Sequence, residues 1–142
     1  MDLKNQIQKR TIKFRAWWKK QLRYNAIAGN GQCLFIPNGT GEYKWVNMAE
    51  CNVMEFSGLQ DIKGKDIYED DLLGYWTKDV NKKDKLLLCR VSFRNGAFVA
   101  DVSKNLDGKL FTDLSSYLDK YIVIGNIYEN ADLFERSLKA DA

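Results

Sequence analysis

Residues 86–102 read LLLCRVSFRNGAFVADV, and this stretch decides the fold class. Residues 86–93 form the most strand-like run of the chain, and Asn95-Gly96 follows almost at once. Both central residues of a type I′ turn need a positive φ angle, which Asn and Gly tolerate best. The stretch therefore predicts a β-hairpin in which residues 97–102 form the returning strand.

Further turn signals recur at short spacing on both sides of this hairpin, which is typical of a mainly β domain. Gly29-Asn30-Gly31 predicts a turn, residues 37–41 a loop, and residues 105–108 another turn. Residues 61–64 predict a type I turn, with Asp at the first position and Gly at the fourth. The runs between these signals are predicted strands: residues 12–17, 24–28, 32–36, 42–46, 51–57, 72–76 and 121–129, the last interrupted at Gly125-Asn126.

Helical signals are few. Residues 112–118 predict one or two helical turns capped by Thr112 or Asp113, and Asn130 is a good N-cap for a short C-terminal helix over residues 131–138. Residues 1–11 are expected to be a tail, frayed or briefly helical, ahead of a single domain over residues 12–142. Eight to ten short antiparallel strands with glycine at the bends predict a strongly curved sheet or small barrel capped by helices.

Composition excludes most enzyme classes. The 142 residues include no histidine, so His-dependent triads, dyads and metal sites are absent. The three cysteines, Cys33, Cys51 and Cys89, are widely spaced and predict small core residues in a reducing compartment. We expect no cofactor, no resident metal, no membrane span and a cytoplasmic location.

Charge is unevenly distributed along the chain. Residues 1–24 hold eight Lys or Arg and one acid, a net charge of +7, whereas residues 25–142 hold 14 basic and 18 acidic residues, a net charge of −4. This asymmetry favours an anionic partner, although a basic strand packed on an acidic body explains it equally well.

The first strand supplies the candidate binding surface. Period-two alternation puts Ile12, Phe14 and Ala16 on one face of it. The other face begins a basic-aromatic set that continues along the chain: Lys13, Arg15, Trp17, Trp18, Lys19, Lys20 and Arg23. Cations beside indole rings suit nucleic-acid phosphates and bases. The alternative is that the tryptophans belong to the core or to an oligomer interface, with the lysines forming a solvated face.

Glu69-Asp70-Asp71 is an acidic triplet with two interpretations. Its carboxylates suit a hard cation or acid–base chemistry. The interpretation we favour is a solvated turn whose carboxylates accept backbone N–H groups, with Asp71 locking the bend.

Three segments taken in order carry a family resemblance: IKFRAW at residues 12–17, FSGLQDIKGKDIYEDD at 56–71 and IVIGNIYEN at 122–130. Together they resemble the YopX family of phage and prophage proteins. The resemblance implies a fold that includes a small barrel of the Src-homology type, and a family of unknown biochemical function with no catalytic residue to carry over. Trp18 and Asp70 depart from the pattern, which has Asp and Gly at those positions. The motif residues, which we interpret as structural, are Gly58, Leu59, Asp61, Gly64, Ile67, Tyr68, Glu69, Asp71, Gly125, Asn126, Tyr128, Glu129 and Asn130.

Three function hypotheses follow. The first is a non-catalytic interaction module that binds a phage or host protein, or itself as a homo-oligomer. The second is a small nucleic-acid-binding barrel that uses the basic-aromatic set. The third, which we favour least, is an enzyme that uses Asp, Glu, Tyr or Lys with a divalent metal at residues 69–71; we expect no enzyme.

Overall fold

Eleven strands in two antiparallel sheets make up the computed structural model, which describes residues 2–37, 41–101, 111–133 and 135. The strands are β1 (Phe14–Trp18), β2 (Gln21–Gly29), β3 (Gln32–Phe35), β4 (Lys44–Asn47), β5 (Asn52–Gln60), β6 (Asp66–Tyr68), β7 (Asp71–Lys78), β8 (Asp84–Arg94), β9 (Ala97–Asp101), β10 (Phe111–Asp113) and β11 (Ile122–Asn126). The first sheet has the order β4-β3-β2-β1-β5-β6, and the second has the order β10-β9-β8-β7-β11.

The prediction of a mainly β protein is confirmed. Pairing among the described strands closes neither sheet on itself, so the barrel is not confirmed. Two short strands were not expected: β6 immediately precedes the predicted acidic turn at residues 69–71, and β10 lies at the start of the predicted helical turn. The prediction for residues 121–129 is wrong in detail, because β11 runs through Gly125-Asn126 and residues 127–129 form a turn.

Helical structure in the described part of the chain is limited to short pieces. Three 3₁₀ turns occupy Leu3–Gln6, Met48–Glu50 and Leu114–Tyr117. Residues 131–133 and 135 are helical, which confirms a helix after Asn130. The remainder of the predicted helix, residues 38–40 of the predicted loop, Val102 and the predicted turn at 105–108 lie outside the described residues.

Two apolar cores lie among the described residues. The first lies on one face of the six-stranded sheet and contains Ala16, Ala26, Cys33, Phe35, Val46 and Cys51. The second lies against the five-stranded sheet and contains Ile67, Leu73, Cys89, Val91, Ala100 and Leu114. Ile67 comes from β6, and Leu59 of β5 packs on the same core, so the second core joins the two sheets.

The predicted hairpin is confirmed. Asn95 and Gly96 have φ angles of 52° and 80°, and Arg94 pairs with Ala97 across the two-residue turn. The structure adds another hairpin of the same length between β1 and β2. Its central residues, Lys19 and Lys20, have φ angles of 49° and 64°. The sequence signal was missing there because lysine is not a residue that favours this conformation.

No helix among the described residues has both the length and the apolar character needed to cross a membrane.

The buried thiols make a testable prediction. Burial raises the pKa of Cys33 to about 11 and that of Cys89 to about 12, from an ordinary value of 9.0. The unfolded chain therefore ionises first as the pH rises above 9.0, so the free energy of unfolding should fall between that pH and about 11–12. Urea titrations across this range measure it. Cys89→Val should reduce the pH dependence, and an equally steep decline in that variant would contradict the assignment to Cys89.

Candidate functional site

The acidic turn between β6 and β7 connects the two sheets. The Glu69 N–H donates to the Glu55 carbonyl in β5 (3.0 Å), and the Asp70 N–H donates to the Val91 carbonyl in β8 (2.8 Å). The Ile127 N–H, just after β11, donates to the Asp70 carbonyl (3.0 Å). One turn is thus bonded to both sheets and to the last motif segment.

A buried ion pair stands at the centre of this junction. Arg15 Nη2 in β1 lies 2.7 Å from Asp71 Oδ1 in β7, and both side chains are almost wholly buried. Arg15 Nη2 also donates to the Glu69 carbonyl (3.1 Å), and the guanidinium lies 4.7 Å from the centre of the Tyr68 ring. The structure therefore contradicts the expectation that Arg15 belongs to an exposed basic surface.

Asp71 closes the bend as well as pairing with Arg15. Its second carboxylate oxygen accepts the Tyr68 N–H at 2.8 Å. Burial raises the pKa of Asp71, and the Arg15 guanidinium and the Tyr68 N–H oppose that rise. The predicted bond between carboxylate and backbone is present, but Asp71 itself is not solvated, because it is only 1% exposed, whereas Glu69 and Asp70 are half-buried.

The three carboxylates of residues 69–71 have separate partners. Glu69 Oε1 accepts the Glu55 N–H at 3.0 Å, and burial raises the pKa of Glu69. Asp70 Oδ1 lies 2.9 Å from Arg90 Nη2. Because Asp71 pairs with Arg15, the three carboxylates of residues 69–71 do not point towards one shared site. In the chain as described, no group of three His, Cys, Asp or Glu side chains could hold a metal ion.

Asp70 explains one departure from the family pattern. It has a φ angle of 68°, a conformation that glycine adopts freely and aspartate tolerates at some cost. In return, its carboxylate contacts Arg90 and accepts the Tyr128 hydroxyl at 3.0 Å. Burial first, and then Asp70, raise the pKa of Tyr128. The aspartate thus adds two contacts across the junction that a glycine cannot make.

The third motif segment folds around Asn126. The Asn126 Oδ1 accepts the N–H groups of Tyr128 (3.0 Å) and Glu129 (2.9 Å), and its amide donates to Glu129 Oε1 (3.1 Å). Asn130 Oδ1 accepts the Asn126 N–H at 3.1 Å, so this side chain bonds back towards β11. A Cβ atom on Gly125 would lie 2.1 Å from Asn130 Oδ1, which is why this position requires glycine.

The second motif segment is held by Asp61. Its Oδ1 accepts the N–H groups of Lys63 and Lys65, and its Oδ2 accepts the Val123 N–H of β11, all at 2.9 Å. The Gly64 N–H donates to the Asp61 carbonyl at 2.9 Å, as expected for the predicted turn. The remaining motif residues of this segment are placed by backbone or packing: Gly58 and Gly64 have φ angles of 85° and 82°, while Leu59 and Ile67 pack in the second core.

A cleft of about 480 Å³ opens where the three segments meet. Its motif residues come from all three: Arg15 from the first, Tyr68 and Asp71 from the second, and Gly125, Asn126, Glu129 and Asn130 from the third. Leu22 and Tyr24 of β2 complete one wall. Sequence reasoning missed this cleft, since segments more than 40 residues apart carry no local signal that they meet.

Trp17 joins the first segment to the third. Its ring stacks on Tyr128 with centroids 5.3 Å apart and planes inclined by 20°. Lys13 also forms an ion pair: its Nζ lies 2.6 Å from Asp66 Oδ2. The same Nζ lies 4.5 Å from the centre of the Phe56 ring. The Lys13 ammonium, and then Gln60, lower the pKa of Asp66.

The remaining members of the basic-aromatic set lie elsewhere. Trp18 packs on the first core, on the face of β1 opposite to Arg15 and Trp17. Arg23 is buried opposite Ala16 on that same face, and Lys19 and Lys20 form the hairpin turn. The expected single surface of seven residues is therefore wrong, because strand alternation divides it between two faces.

An exposed apolar row extends from the cleft along the first sheet. Ile27, Leu34 and Trp45 are direct cross-strand partners in β2, β3 and β4. Asn25 is a bulged residue with a φ angle of 58°, which puts Ile27 on the same face as Tyr24. We call Tyr24, Ile27, Leu34 and Trp45 the apolar stripe. Ile27 is 59% exposed and Trp45 is 62% exposed, so nothing in the described chain covers them.

Comparison with known proteins supports the family assignment. A family model described as YopX protein matches residues 13–135. The crystal structure of protein EF1440 from Enterococcus faecalis is similar, with a TM-score of 0.62 and 22% sequence identity, over 88% of this chain and 99% of that one. At this identity the likeness shows the fold alone. No curated protein matches the chain.

Removal of either partner from the buried ion pair should be strongly destabilising. Arg15→Met or Asp71→Asn should each lower the free energy of unfolding by about 3–5 kcal/mol, because the remaining polar group is left buried without its counterpart. The double variant should lose less than the sum of the two single losses. Lys78→Met, in the exposed Lys78–Asp84 pair, is the control and should cost less than about 1 kcal/mol. Urea denaturation measures all four, and equal losses for Asp71→Asn and Lys78→Met would refute the role of the junction.

The close approach at Gly125 makes an independent prediction. Gly125→Ala should lower the free energy of unfolding by about 1–3 kcal/mol, because the new methyl group displaces the Asn130 side chain. Gly29→Ala is the matched control, since a Cβ atom there meets nothing within 4 Å. Thermal unfolding compares them, and a neutral Gly125→Ala would show that Asn130 moves aside freely.

Proposed function

This chain belongs to the YopX protein family, and we propose that it is a non-catalytic interaction module that binds a segment of another protein. The partner would lie in the cleft at the junction of the sheets and extend across the apolar stripe. The observation that carries the proposal is the continuity of these two features on one face of the first sheet.

The apolar stripe supplies the hydrophobic part of such an interface. Trp45 and Ile27 are large side chains that remain more than half exposed, and Leu34 joins them across β3. A contiguous apolar patch on a protein surface marks an interaction site more often than scattered apolar residues do. Tryptophan in particular is enriched among the residues that dominate binding energy.

The cleft supplies the polar part. Tyr24 lines the cleft and is also 51% exposed at the start of the stripe, so it connects the two. Lys65, Glu129 and Asn130 line the same cleft and offer both donors and acceptors. An extended peptide needs both kinds of contact, main-chain hydrogen bonds for its backbone and apolar surface for alternate side chains.

The proposal assigns no reaction to the cleft. The Arg15 guanidinium and the Asp71 carboxylate form an ion pair with each other, and Glu129 accepts a hydrogen bond from the Asn126 amide. Groups held in this way position the motif segments. A nucleic-acid function that uses all seven basic-aromatic residues is less well supported, because Arg15 is buried and paired with Asp71, and the seven residues lie on two faces of the sheet.

We place this interaction in the cytoplasm of a bacterium that carries the phage or prophage. Cys33, Cys51 and Cys89 are free and buried, a state that suits a reducing compartment.

The test is affinity capture from lysogenic cells with the full chain as bait, read by quantitative mass spectrometry. Ile27→Ser/Trp45→Ser should reduce recovery of the specific partner at least about 10-fold, because two apolar anchors are lost. Trp76→Ser removes an equally exposed tryptophan (64%) from the second sheet and should leave recovery unchanged.

Photocrosslinking identifies the surface directly. A benzophenone amino acid in place of Trp45 should crosslink the captured protein, whereas one in place of Trp76 should not. Two results would overturn the proposal. The first is that no protein is recovered differently with the Ile27→Ser/Trp45→Ser and Trp76→Ser variants. The second is a crosslink at position 45 only to a second copy of this chain, which would make the stripe a homo-oligomer interface.

A further inference from the structure

A cluster of cations surrounds Trp18 on the face of the first sheet opposite to the cleft. Lys19 Nζ lies 4.5 Å from the centre of the Trp18 ring, Lys44 Nζ lies 5.6 Å from it, and the Arg23 guanidinium carbon lies 5.7 Å from it. Lys20 neighbours them in the hairpin turn. We call these five residues the Trp18 cluster. Lys44 comes from β4, and no sequence signal connected it to β1.

Arg23 is the most unusual member of the Trp18 cluster, because it is a buried cation without a hydrogen-bond partner at two of its nitrogen atoms. It is 7% exposed, and its Nε and Nη1 atoms are buried without a hydrogen-bond partner. A buried cation without a counter-charge costs several kcal/mol, so proteins rarely retain one. Contact with the Trp18 ring offsets part of that cost but leaves the two donors unsatisfied. A nearby anion would compensate the charge of this guanidinium.

The neighbouring lysines have no counter-charge either. Among the ion pairs of the described residues, none involves Lys19, Lys20, Arg23 or Lys44. The other guanidinium buried in the first sheet, that of Arg15, pairs with Asp71. The positive charge of the Trp18 cluster is therefore left for a ligand from outside the described chain.

Backbone geometry does not explain why lysines occupy the two central positions of the hairpin turn between β1 and β2. Lys19 and Lys20 both adopt positive φ angles, which are unfavourable for a residue with a Cβ atom. The two other two-residue hairpins of the described chain have Asn30-Gly31 and Asn95-Gly96 at these positions, where that conformation is easily adopted. Turn geometry alone would select Asn-Gly at all three turns, so the lysines at positions 19 and 20 require a reason in their charge.

We propose that the Trp18 cluster binds a phosphate group. Three cations around one ring, with a fourth beside them, exceed what a single carboxylate neutralises and suit the oxygens of a phosphate group. The lysine ammonium groups supply the direct contacts, and the Arg23 guanidinium adds positive charge beside them. The phosphate belongs either to a single-stranded polynucleotide or to a small phosphorylated molecule. The site lies on the opposite face of β1 from the cleft, so it is independent of the proposed protein interaction.

Two variants test the cluster without relying on a damaged fold. Lys19→Asn/Lys20→Gly removes two charges and installs the residues that the turn prefers, so the fold should be retained or stabilised. Arg23→Met removes the unpaired buried charge and should raise the urea midpoint in the absence of ligand. Lys82→Asn/Lys83→Gln is the matched control: it removes two charges from another turn, in which Lys82 also has a positive φ angle of 62°.

Calorimetric titration with inorganic phosphate, and anisotropy titration with a fluorescein-labelled oligo-dT strand, measure binding at low salt. We expect wild type and the Lys82/Lys83 control to bind, and both cluster variants to lose at least about 10-fold in affinity. No binding of either probe by wild type, or equal losses in the control and the cluster variants, would overturn the proposal.

The two probes also distinguish the sources of the phosphate. Oligo-dT binding that is at least about 100-fold tighter than inorganic phosphate, with a salt slope that falls by roughly 1.4 on loss of two lysines, identifies a polynucleotide. Binding of inorganic phosphate that equals or exceeds that of the oligonucleotide identifies a small phosphorylated molecule. Either result supports the phosphate site.

Discussion

The ion pair between Arg15 and Asp71 is the interaction on which the arrangement of this protein depends. The second apolar core takes Ile67 from β6 and joins the two sheets, but hydrophobic burial is non-directional and does not by itself fix the geometry at which they meet. A buried guanidinium and carboxylate have one favourable geometry, which the Glu69 carbonyl and the Tyr68 N–H reinforce. The junction is therefore polar and specific, and the cleft is the space that it leaves open.

The family motifs gain a common physical explanation from this junction. The first supplies Arg15, the second supplies the turn with Asp71, and the third wraps around Asn126 beside them. Asp61 links the second and third through Val123. Arg15 and Asp61 bond to partners in another segment, whereas Asn126 and Asn130 organise the backbone of their own. Asp70, in the place of the family's glycine, accepts a strained backbone and adds contacts to Arg90 and Tyr128.

Strand β1 separates two surfaces of different chemistry. Its Arg15 lines the cleft, which continues into the apolar stripe of Ile27 and Trp45. Its Trp18 faces the other way and has cations without an ion-pair partner around its ring. The N-terminal positive charge is therefore divided: Lys13 and Arg15 compensate Asp66 and Asp71, and the cations around Trp18 remain available to an anion.

The sequence by itself determined the β class, the Asn95-Gly96 hairpin, the Asp61 turn and the motif residues, since local backbone preferences and period-two alternation are written in adjacent residues. Only the tertiary structure decided which of the N-terminal cations form ion pairs with carboxylates. Arg15 and Lys19 are four residues apart in one basic stretch, yet one is buried against Asp71, 56 positions away, and the other lies at a hairpin turn. Alternation assigns side chains to faces, but which face a second sheet covers depends on long-range packing, and that is the physical reason the cleft and the Trp18 cluster were invisible in the sequence.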